Sequence, residues 1–76
     1  MQDQAYINYL KEEVERHVSL VMKGEKMLKD GEIHVNLMME LSCYRKHIAF
    51  MANGLKKLGV SESERQSLVT PILKEK

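Results

Sequence analysis

Cys43 and His47 stand four residues apart, a spacing that sets a thiol and an imidazole on one face of a helix. Together with His17 they are the side chains best suited to chemistry, either as soft metal ligands or as a nucleophile and its base. A structural zinc site uses four nitrogen or sulfur ligands, commonly with several cysteines among them. This chain has one cysteine and neither a CxxC nor an HExxH pattern, so no metal ligand is assigned. Nucleophilic catalysis needs more than a cysteine beside a base; it also needs an oxyanion hole in a concave pocket. Nothing in the sequence supplies those parts, and cysteine is among the residues most often buried as plain packing. Glu12, Glu13, Glu15, Glu62 and Glu64 read as solvated faces or helix caps. The expectation is a chain without catalytic residues, cofactor or small-molecule substrate.

The element that must position Cys43 and His47 is a helix over about 34–58. Leu37, Leu41, Tyr44, Ile48, Met51, Leu55 and Leu58 follow each other at alternating spacings of 4 and 3, an apolar seam of the kind that packs along another helix. A second line, Met39, Cys43, His47 and Phe50, lies off that seam. It marks a candidate protein interface, because a helix with two apolar sides needs two neighbours.

The neighbour for the first seam precedes it. Over about 4–28, Ile7, Leu10, Val14, His17, Val21, Gly24 and Leu28 repeat the same spacing, with Val18 widening the stripe. Tyr6, Leu20 and Met27 line one flank at multiples of seven, and Glu12 and Arg16 are set for an i,i+4 pair. Asp30-Gly31 closes this helix, since glycine takes the left-handed cap conformation without a clash. A short turn makes the two helices antiparallel neighbours. With Gly31 as midpoint, Leu28 faces His34, Val21 faces Leu41, Val14 faces Ile48, Ile7 faces Leu55 and Gly24 faces Met38. Gly54 falls opposite Asn8 and Tyr9. No good cap residue precedes the second helix, whose start is expected anywhere in 32–35. Gly59 ends it.

Ser61 then opens a third helix over about 62–70 as a capping box with Glu64. Leu68, Val69, Ile72 and Leu73 are its apolar residues, and Pro71 should kink or stop it near Thr70, leaving 74–76 frayed. The expected fold is all-α: one domain, 1–76, made of a long antiparallel helical hairpin plus a short third helix. That third helix is too short to cover the second apolar line, so two hairpins are expected to assemble into a helical-bundle homodimer through it.

Composition narrows the function further. Twelve basic and eleven acidic residues leave a net charge of +1, too weak a field to draw nucleic acid or anionic lipid by itself. No uncharged run approaches the roughly 18 residues of a membrane span. The first residues lack the features of a signal peptide, and a lone cysteine suits a reducing compartment, so a cytoplasmic protein is expected. The six methionines are adaptable side chains, common where one protein binds another as well as in uneven cores. These features favour a non-catalytic interaction module of adaptor, inhibitor, chaperone or antirepressor type, which presents an apolar helical face to itself and to another protein. The alternative is a nucleic-acid-binding regulator that uses Arg45, Lys46, Lys56 and Lys57 as a basic stripe on the second helix.

Overall fold

Residues 4–32 and 34–73 are described by the computed structural model, the side chain of Leu73 excepted. Ile33 and the tail 74–76, for which fraying was expected, lie outside the described residues. Among the described residues there are three helices and no strand: α1 (Gln4–Lys29), α2 (Val35–Lys57) and α3 (Glu62–Leu73).

α1 buries Ile7, Leu10, Val14, Val18, Val21 and Gly24, one stripe of a 3.6-residue helix. Val18 takes a full place in the core, while His17 and Leu28 remain half-buried. Lys26 and Lys29 occupy the last turn, where cations favour the negative end of the helix dipole. The expected Glu12–Arg16 pair does not form. Arg16 lies between Glu12 and Glu13 on the helix surface, and Glu13 is the carboxylate it pairs with.

Both turns use the same device. At the end of α1, Gly31 has φ +95°. Its N–H donates to the Leu28 carbonyl (3.0 Å), and the Glu32 N–H donates to that of Met27 (2.9 Å). At the end of α2, Gly59 has φ +93°. Its N–H donates to the Lys56 carbonyl (3.1 Å), and the Val60 N–H donates to that of Leu55 (3.0 Å). These paired bonds are the Schellman arrangement, which satisfies carbonyls a helix end leaves over. His34 precedes α2 in extended conformation with no side-chain cap, in line with the absence of a Ser, Thr, Asp or Asn there.

The hairpin closes on Leu41, Ile48 and Leu55 from α2, spaced by seven, against the α1 stripe. Leu55, Val14 and Val21 are its fully enclosed side chains. Two details of the expected pairing are corrected. A Cβ on Gly24 would meet Leu41 and Leu37, not Met38, and one on Gly54 would meet Leu10 rather than Asn8 or Tyr9. The pairing slips by one to three positions, because a Schellman turn is not a symmetric midpoint.

Helix α3 opens at Ser61, whose Oγ accepts from the Glu64 N–H at 3.2 Å. Only that half of the capping box forms; the Glu64 carboxylate instead takes Lys11 of α1 at 2.5 Å. Of the kink or stop expected near Thr70, the stop is corrected: α3 continues through Pro71 to Leu73. Proline removes one hydrogen bond in the last turn, and Ile72, buried in the core cluster, holds the chain helical beyond it. α3 packs chiefly on α1 and touches α2 little.

Candidate functional site

Because α3 lies along α1, the side of α2 opposite the core stays open. Met39, Cys43, Lys46, Phe50 and Lys57 succeed each other by three, four or seven residues and so share one line of the helix. Phe50 is nine residues from Leu41, half a turn round from the core line at 100° per residue. It is 78% exposed, and Met39 is 61% exposed. Cys43 is exposed and its thiol free. With Asn36, Glu40 and Tyr44 it borders a shallow depression of about 300 Å³ beside Met39.

His47, the fourth member of the expected interface, is exposed and lies on the groove side of that line. Its ring lies 5.6 Å from that of His17, edge to face at 70°. His17 is also edge to face with Tyr44, at 5.7 Å. His17 Nδ1 sits 2.7 Å from the Glu13 carbonyl. A carbonyl only accepts, so Nδ1 carries the proton and donates. The structure therefore brings His17 and His47 together, with Cys43 one turn before His47 on α2. Among the described residues no group of three or more His, Cys, Asp or Glu side chains is placed to hold a metal ion.

The four basic residues of the alternative reading do not share one line. Arg45 is paired with Glu25 of α1. Lys56, eleven residues on, lies on the same side as Arg45, whereas Lys46 and Lys57 flank Phe50 about 100° away. All four are exposed.

Tyr6 and Tyr9 stack with centroids 6.4 Å apart, and each is about half exposed. The methionines add a further observation: Met22, Met38 and Met39 are exposed and Met27 and Met51 half-buried, and none of these five is among the fully buried core residues, although Met51 packs against them. No helix is long and apolar enough to cross a membrane, among the described residues. Comparison with protein-family models, with curated proteins and with solved structures returns no match.

Proposed function

We propose that this chain is a non-catalytic interaction module that works as a homodimer and offers the outer line of α2 to another protein. The observation that carries the reading is the exposed apolar run of Met39, Cys43 and Phe50, which α3 leaves bare. A soluble protein seldom keeps neighbouring large apolar side chains in water unless something docks on them. A partner helix laid along α2 would use anchors at this spacing. The free thiol of Cys43 suits a reducing compartment, here the cytoplasm.

The nucleic-acid reading is the weaker one, since Arg45 is already engaged by Glu25 and the remaining lysines lie on two sides of the helix. Salt separates the two readings. Phosphate binding falls steeply as counterions are added, whereas an apolar interface does not. Affinity capture with the wild-type chain and with Phe50→Glu, at low salt and again at about 0.5 M, is the test. A protein retained at both salts by the wild type and lost by Phe50→Glu is the expected result. Nucleic acid that releases with salt and ignores Phe50→Glu would overturn it.

A further inference from the structure

The hairpin has a second uncovered side, different from the outer line of α2. Leu37, Tyr44, Met51 and Leu58 recur every seven residues along α2 and its C-cap. All four pack against the core, yet each remains only half-buried. Their partner rim on α1 is Tyr6, Leu20 and Met27, also seven or fourteen apart. Leu20 is two residues from both Val18 and Met22, which border the crevice under α3, so at 100° per residue it faces nearly the opposite way. It is one turn on from His17, whose ring reaches across to Tyr44 and His47. The two heptad lines therefore border one face of the hairpin, the face away from α3.

Resting on the reading that the chain pairs with itself, we infer that a second copy of this chain packs on that face, hairpin on hairpin. Three features select this occupant. The first is area. Two side-by-side helices of about 23 residues, at 1.5 Å per residue and about 10 Å across each, present roughly 700 Å², near the ~800 Å² per partner of a standard interface. A single partner helix would cover about half of it. The second is period. Leu37, Tyr44, Met51 and Leu58 repeat every seven residues, and Tyr6, Leu20 and Met27 keep that register with Glu13 at the intervening place, so a two-fold copy offers side chains at the spacing the face already has. The third is charge. Apart from His17, with His47 against it, and Glu13, already paired to Arg16, the face is aromatic, aliphatic and methionine-rich, close to the composition of an interface core. The outer line of α2 instead carries Lys46 and Lys57, and two-fold pairing of that line sets the lysines of one copy toward those of the other. Self-association and partner binding then occupy different sides of α2.

Sedimentation of the wild type, Tyr6→Glu, Leu20→Glu and Phe50→Glu from about 1 to 100 µM tests the assignment. These side chains are surface-exposed in the single chain, and a denaturant melt checks that each variant still folds. The wild type should sediment at twice the 8.8 kDa chain mass. Tyr6→Glu and Leu20→Glu should weaken pairing at least about tenfold, and Phe50→Glu should leave it within about threefold. A wild type that stays at 8.8 kDa throughout overturns both the self-pairing and the face. A dimer that tolerates Tyr6→Glu and Leu20→Glu, or that Phe50→Glu splits as readily, overturns the face alone.

Discussion

A methyl group placed on Gly24 would lie 2.5 Å from Leu41 Cδ2 and 3.2 Å from its Cγ, so the missing side chain is what lets α1 and α2 approach at this level. The same methyl on Gly54 would meet only Leu10 Cδ1, at an ordinary 3.7 Å. Both glycines sit inside helices, where alanine is favoured by about 1 kcal/mol. At Gly54 that gain is available, and Gly54→Ala should stabilise the protein by about 0.5–1 kcal/mol. At Gly24 overpacking against a buried leucine costs about 1–3 kcal/mol, so Gly24→Ala should be neutral to destabilising by about 2 kcal/mol. Urea melts of the two variants decide the matter; a shift of equal sign and size would show that both positions have the same room. The sequence marked both glycines as unusual but not which was crowded, because a slip of one to three positions in pairing decides what a Cβ would meet. Cys43 and His47 were legible as near neighbours because four residues make about one helical turn whatever the pairing, whereas the meeting of His17 and His47 depends on the pairing itself.

Among the elements, α3 depends most on a few local interactions. Its N-terminus is held by the Ser61 hydroxyl and by Glu64 reaching Lys11, and its C-terminal half by Leu68, Val69 and Ile72. The Lys11–Glu64 pair is partly exposed, the class of ion pair worth about 0–1 kcal/mol. Removing the cap with Ser61→Ala should cost about 1 kcal/mol, while Ser63→Ala, at an exposed position without a cap bond, should do little. Amide exchange across 64–70 reads this directly: protection should fall for Ser61→Ala and hold for Ser63→Ala. Equal protection in both would leave the cap without a role. The hairpin was legible in the sequence because its signals are periodic and local: two seams of 3 and 4 spacing, and a glycine beyond each. The passage of α3 through Pro71 was not, since the proline rule counts one lost bond and cannot see Ile72 buried in the core beyond it. The half-cover of Leu37, Tyr44, Met51 and Leu58 was hidden for a related reason. It depends on α3 docking along α1 rather than across the hairpin.

As a whole the molecule is long and thin, 48 × 22 × 14 Å, and its core is a small cluster of aliphatic side chains drawn from the three helices. A chain of 76 residues at about 0.05–0.15 kcal/mol per residue has roughly 4–11 kcal/mol of stability. Leu41→Ala and Ile48→Ala should each remove about 2–4 kcal/mol as buried truncations, a large part of that total, whereas Lys46→Ala should stay within ~0.5 kcal/mol. If a second copy covers the open face, folding and pairing are linked, and stability rises with protein concentration. Each tenfold increase adds about 1.4 kcal/mol to the pair, which for a unit of this combined size moves the melting midpoint by roughly 3–5 °C. The wild type and Lys46→Ala should show that rise between dilute and concentrated samples. Leu20→Glu, expected to be monomeric, should melt at one temperature throughout. Leu41→Ala should be the most sensitive, unfolded when dilute and recovering its helical signal as concentration increases. Calorimetry and circular dichroism over a hundredfold range provide the measurement. A wild-type midpoint that does not move would show that the thin hairpin is stable without a partner on its open face.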